Sequence, residues 1–228
     1  MYQIKYNNSD FKDSININKL NFSEIISNNS LINIVIYMKN DEKLLKKYIK
    51  IFLKYRKILD KVKMCNIYLQ DYEDIRIEQD FVKLIKAIFL IDLRKIYEEA
   101  YDIACDYLDS QFYGKNLCDF CNNKCGYKKD TNIEIGCCRH YSKHKQFGAL
   151  FFEKLVQCEN LGKDGKCKIK CIGCKLFTCD YLERKGIKFK TNDILAIDSI
   201  FNPLQKILLK AIVYTPKEEI IDKLLFLA

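Results

Sequence analysis

Proline is nearly missing from this chain of 228 residues, which has only two. With so little proline and 49% hydrophobic residues, the chain does not read as a disordered or linker-rich protein. A long apolar run is missing too. Residues 31–38 (LINIVIYM) form one of the longest uncharged stretches, well short of the roughly 18 residues needed to cross a bilayer. The start, MYQIKYNNSDF, lacks the basic residues followed by an apolar segment that mark a secretory signal. The expectation is a cytoplasmic protein that does not engage the membrane. Neither a nucleophile–base pair nor a phosphate loop is legible, so no catalytic residue is assigned and the sequence points away from an enzyme. The chain has neither C2H2 zinc-finger spacing nor an alternation of aromatic and basic residues, and the flanks show no internal repeat.

What the chain does have is cysteine. Ten of its twelve cysteines and both histidines, His140 and His144, fall within residues 118–179. The thiols are Cys118, Cys121, Cys125, the adjacent Cys137 and Cys138, then Cys158, Cys167, Cys171, Cys174 and Cys179. Their spacing is C-x2-C-x3-C, then CC, then C-x8-C-x3-C-x2-C-x4-C. Thiols two residues apart can address one centre from a single tight turn, which is how zinc and iron–sulfur sites take their ligands. In a reducing compartment such density favours metal or redox chemistry over a disulfide framework. All ten are therefore candidate metal ligands. Zinc is the expected cofactor and an iron–sulfur cluster the alternative, since no Cys-Pro follows a ligand run as it does in bacterial ferredoxins. His140 and His144 stand four apart, a ligand spacing on a helix, and either could complete a site of three cysteines and one histidine. The remaining thiols, Cys65 and Cys105, fall in apolar helical patterns and read as core thiols.

The Gly136-Cys137-Cys138 turn after a C-x2-C, the segment CENLGKDGKC and the final CKLFTCDYL resemble the YkgJ-type zinc- or iron-chelating family. Cys118, Cys121, Cys137, Cys138, Cys158, Cys167 and Cys179 match that family's cysteine positions. The resemblance covers residues 118–179 and implies metal binding without a defined reaction. This chain departs from the pattern in the eleven residues between Cys125 and Cys137, in the additional Cys171 and Cys174, and in lacking the Arg-Pro before the last cysteine. Cys167-x3-Cys171-x2-Cys174 also matches the cluster motif of radical SAM enzymes. However, only 54 residues follow Cys174, they read as helical, and Gly173 stands where an aromatic residue is usual.

The flanks predict a mainly α fold, a long-helix scaffold carrying an irregular cysteine-rich metal-binding insert. Apolar residues at three- and four-residue steps predict helices over residues 41–66 and 77–112. Residues 31–38 read as strand or helix, and 147–156 (FGALFFEKLV) as a short helix. The dipeptides Asn202-Pro203 and Thr215-Pro216 each place a capping residue before a proline suited to the first helical position. The expected division is a helical region over 1–113, a metal-binding module over 114–190, and closing helices over 191–228 that pack on the first region. Glu98, Glu99, Asp102, Asp106 and Asp109 read as an acidic face set against basic neighbours. The net charge of +9 equals the excess within residues 115–190 alone, 17 Lys and Arg against 8 Asp and Glu. Much of it can neutralise thiolates. Nucleic acid or a protein partner, gripped by the basic face of helix 41–66, is the second alternative to simple metal binding.

Overall fold

The computed structural model describes residues 2–6, 15–16, 31–37, 41–59, 64–70, 76–90, 92–121, 124–125, 139–146, 149–162 and 167–228. The described residues are mainly helical, and the chain forms two compact units. The first contains residues 1–103 and 195–201, and the second 104–194 and 202–228. The sequence placed its borders at 113 and 190, whereas the compact units divide at 103/104 and on either side of 195–201.

Four parallel strands in the order β1-β4-β3-β2 lie in the first unit: β1 (Tyr2–Tyr6), β2 (Ile15–Asn16), β3 (Leu31–Tyr37) and β4 (Met64–Gln70). Parallel neighbours require a crossover. Helix α1 (Glu42–Leu59) provides it between β3 and β4, in a register running from Leu31↔Met64 to Tyr37↔Gln70. Asp41 starts α1, its Oδ1 accepting from the amides of Lys43 at 3.0 Å and Leu44 at 3.3 Å. Leu45, Ile49 and Phe52 of α1 are buried with Ile34 and Ile36 of β3 and Ile67 and Leu69 of β4. Helix α2 (Arg76–Ile88) and helix α6 (Leu195–Ile200) both pack against α1, and Lys46 reaches Asp198 of α6 at 3.5 Å.

Two helical expectations need correction in this unit. The helix predicted over 41–66 stops at Leu59, and Met64–Gln70 forms a strand instead. Cys65, Ile67 and Leu69 alternate at 1%, 0% and 1% exposure, a two-residue period, and Asn66 between them is also buried. Burial on both faces is what a central parallel strand requires, so tertiary pairing overrides the helical continuation. Cys65 is thus a strand residue, and burial pushes its thiol up to about 12. The helix predicted over 77–112 is two helices. The first ends at Ile88, where the Leu90 amide turns back to the Ala87 carbonyl at 2.9 Å, and Asp92 opens α3 (Leu93–Asp109) by accepting from the Arg94 amide at 2.9 Å. Cys105 is buried, as a core thiol should be.

In the second unit, a π-helical turn (Ser110–Gly114) extends α3. The short strands β5 (Phe120–Cys121) and β6 (Lys124–Cys125) pair antiparallel, as do β7 (Arg139–Gln146) and β8 (Ala149–Gln157). The helix expected over 147–156 is therefore strand β8. Its apolar residues come in runs rather than in a helical stripe, and aromatic and branched residues suit cross-strand pairing. Short helices α4 (Ile172–Leu176) and α5 (Asp180–Arg184) follow, then α7 (Pro203–Ala211) and α8 (Lys217–Phe226). The break expected at Asn202 is present as a full capping box. Asn202 Oδ1 accepts from the Gln205 amide at 2.9 Å, and the Gln205 side chain accepts from the Asn202 amide at 2.8 Å. Gln205 also donates to the carbonyl of Leu224, and Asn202 to that of Leu227, which ties α7 to α8. At the second dipeptide the cap falls one residue later than expected, on Pro216 itself. Among the described residues no helix is long and apolar enough to cross a membrane.

Replacing Asn202 by Ala removes the box and the tie to Leu227 together. The expected loss is about 1–2 kcal/mol of unfolding free energy in urea titration, with the denaturant slope unchanged.

Candidate metal centre

Four of the ten candidate ligands, Cys158, Cys167, Cys171 and Cys174, are gathered by two local devices in the second unit. The first is a tight reversal. The Cys158 carbonyl accepts from the Leu161 amide at 3.1 Å, Leu161 bridges to Cys167 in antiparallel fashion, and the Lys168 amide reaches the Asn160 carbonyl at 2.7 Å. Asn160 and Leu161 are thereby drawn up against Cys167 and Lys168. The Cys167 amide is further pinned by the Tyr113 hydroxyl of the π-turn at 2.8 Å, and its thiol donates to the Ile169 carbonyl at 2.9 Å.

The second device is the seating of α4 on α7. Cys171 caps α4, and Cys174 lies within it. A β-carbon on Gly173, between them, would stand 1.9 Å from the Ile212 carbonyl oxygen and 2.9 Å from that of Leu209. Only glycine lets the two backbones meet this closely. The chain leaving α7 then passes the thiols: Cys171 Sγ lies 3.7 Å from the Ile212 oxygen, and the Tyr214 amide donates to Cys174 Sγ at 3.1 Å. Lysines flank the C-x2-C segment on both sides. Lys170 meets Asp106 at 3.8 Å, and Lys175, with a side chain 5% exposed, forms an ion pair with Asp109. Asp106 and Asp109 of the acidic ladder thus meet basic neighbours, Lys170 and Lys175, which bracket the C-x2-C segment.

The electrostatics bind the four thiols into one neighbourhood. Hydrogen bonding from the Cys174 thiol, aided by backbone hydrogen bonds from Cys174, Thr215 and Tyr214, lowers the Cys171 pKa to about 6 despite burial. Its partner Cys174 is pushed up, first by that same shared hydrogen bond and then by desolvation, with the charges of Cys171 and Cys167 adding to it. Desolvation raises Cys167 as well, and Cys158 and Cys171 push the same way. A backbone hydrogen bond with Ile169 and the Lys175 cation oppose them. The shared hydrogen bond therefore favours ionisation of Cys171 over that of Cys174.

The other candidates are placed differently. Cys118 is half-buried in a turn flanked by Asn116 and Asp119, both in the left-handed region at φ 45° and 43°, which these residue types tolerate. Cys121 and Cys125 lie on the paired strands β5 and β6, in register with Lys124 and Phe120 respectively. Cys179 is half-buried at the cap of α5. Cys137 and Cys138 lie outside the described residues. His140 and His144 sit on strand β7, opposite Val156 and Phe151, so the helical ligand spacing does not apply to them. Sequence reasoning missed Tyr113, Lys175, Ile212 and Tyr214. The Lys-Cys-Ile-Gly-Cys-Lys string was the available signal for Lys175; the other three act through long-range contacts. Cys65, Cys105, Cys118, Cys158, Cys167, Cys171, Cys174 and Cys179 are free of disulfides. Among the described residues, no three Cys, His, Asp or Glu side chains surround a common point closely enough to hold a metal as they stand. The donor set fits zinc in kind: four thiols, an N–H bonded to sulfur and a buried cation to offset thiolate charge.

Gly173→Ala should cost about 3 kcal/mol or more, because the obstacle is backbone rather than a side chain that can move. Gly114→Ala, where nothing lies within 4 Å of the added carbon, should change stability by less than about 0.5 kcal/mol. Urea unfolding of both variants measures the contrast. A second expectation concerns pH in reduced, chelator-treated protein. Cys171 ionises near 6 when folded against an ordinary value of 9.0, so the unfolded chain binds the extra proton between them. Its contribution to stability is fully present above about 9, declines toward 6 and is lost below. The raised Cys65 and Cys174 act oppositely, losing their contribution as pH rises past 9.0. Stability should peak near 9, and Cys171→Ser should flatten the rise on the acidic side. Ultraviolet thiolate absorbance should show a midpoint near 6 that this variant abolishes.

Comparison of the chain with family profiles, with characterised proteins and with solved structures found no match.

Proposed function

We propose that the protein is a metal-binding protein whose cysteine-rich region takes zinc through thiolates, with Cys158, Cys167, Cys171 and Cys174 as one ligand set. The observation that supports this most is the glycine-sealed helix contact that seats Cys171 and Cys174, with Cys167 feeling the charges of Cys158 and Cys171, and Cys174 those of Cys171 and Cys167. Zinc closes structural sites with four such ligands in tetrahedral array. In this reading the Cys158–Cys167 reversal and the Cys171–Cys174 turn each contribute two donors. Lys175 offsets part of the charge that four thiolates leave around a divalent ion. Cys118, Cys121, Cys125, Cys137, Cys138 and Cys179 form the reserve from which a second site is drawn, in keeping with the resemblance to the chelating family.

Protein purified untagged, without added metal, should hold at least one zinc per chain and be colourless. Cys171→Ser with Cys174→Ser should lower that stoichiometry by about one. Removal by a strong chelator should raise amide hydrogen exchange around residues 158–179 while the parallel-sheet unit keeps its protection, because structural zinc contributes on the order of 10 kcal/mol to such sites. A brown chromophore after anaerobic purification would replace zinc by an iron–sulfur cluster. Less than one metal per chain, with all ten thiols open to titration, would remove the metal reading altogether.

A further inference from the structure

The first unit carries a feature that metal binding does not use. Helix α1 exposes a shallow groove of about 430 Å³ lined by Lys43, Lys46, Lys47, Lys50, Ile51 and Lys54. Residues 41–59 hold seven Lys and Arg against two carboxylates, while the rest of that unit holds eleven against fourteen. Its positive excess is therefore concentrated on this one helix. Lys46 serves the fold, bonded to Glu42 at 3.0 Å and Asp198 at 3.5 Å. Lys43, Lys47, Lys50 and Lys54 are exposed.

We propose that this lysine groove binds the phosphodiester backbone of nucleic acid without reading its sequence. At 1.5 Å rise per residue, residues 43 to 54 span about 16 Å. One strand of a duplex presents a phosphate every ~3.4 Å along its axis, so about five phosphates face that length. Lysines are mobile point charges that suit phosphate oxygens, and a groove of lysines with a single isoleucine offers nothing that reads base edges. An acidic protein partner fits less well. Protein interfaces are depleted in lysine and anchored by buried aromatic or arginine residues, which this groove lacks. A membrane surface would need large apolar side chains exposed beside the lysines, and none of the exposed large hydrophobic residues among those described lies on α1.

Fluorescence anisotropy with the full chain and labelled mixed-sequence oligonucleotides, single- and double-stranded, tests the proposal. Binding at low salt should weaken with a log–log slope of about −3.6 on duplex or about −2.8 on single strands if four phosphates are neutralised. Lys47→Gln, Lys50→Gln and Lys54→Gln together should reduce affinity at least tenfold and leave a slope near −1, whereas Arg at the same three positions should retain binding. All three sites are exposed, so the helical circular dichroism should be unchanged. Chelator should not alter the result, since the groove contains no thiol, and this separates it from the metal reading. Absence of binding at low salt overturns the proposal. So does binding that the triple Gln variant leaves intact, which would place the contact on the basic cysteine-rich region, and so does a partner that proves to be an acidic protein.

Discussion

A carbonyl oxygen of Ile212 occupies the space where a side chain at position 173 would have to be. The arrangement of the thiol group depends on that contact. It holds α4 against the end of α7 closely enough for the chain beyond α7 to offer an amide to Cys174 and a carbonyl to Cys171. The capping box at Asn202 starts α7, and Gln205 and Asn202 fasten it to α8. The placement of two thiols therefore draws on residues thirty to fifty positions further along the chain.

Charge is arranged around this contact rather than through it. A lysine as buried as Lys175 is tolerable only when paired, and Asp109 pairs it. The pair leaves the cation close enough to Cys167 to oppose the effect of burial. Lys170 and Asp106 sit on the other side of the C-x2-C segment but are about half exposed, so their attraction is largely screened and serves orientation more than stability. The exposed lysines of α1 belong to a different regime, in which the charge is left largely in solvent.

What could be read from the residues alone divides by the range of the interaction. The Asn202 break, the buried Cys105 and the acidic positions Asp106 and Asp109 were legible, because a cap, an apolar stripe and a helical charge repeat are all local. Strand β4 was not, although Cys65, Ile67 and Leu69 alternate; the helical pattern before them was stronger, and only pairing with β1 and β3 decides between the two. Strand β8 failed for the same reason, since its conformation comes from β7. At the site, the spacing of Cys171 and Cys174 was plain. Its support from Tyr113, Ile212 and Tyr214 joins residues some forty or more positions apart and leaves no periodic trace.

Tyr214 adopts φ 57°, a left-handed conformation that costs a non-glycine residue roughly 1–2 kcal/mol. In that conformation its amide points at the sulfur of Cys174. The donor is main chain, so a replacement that accepts the left-handed conformation, such as Gly, Asn or Asp, leaves it in place, whereas proline removes it. The side chain itself is exposed. The amide that faces the sulfur is thus set by the backbone at 214 and not by the chemistry of its side chain. The polarity around Cys174 is inherited through the path of the backbone, and a comparison of side-chain identities alone would not detect it.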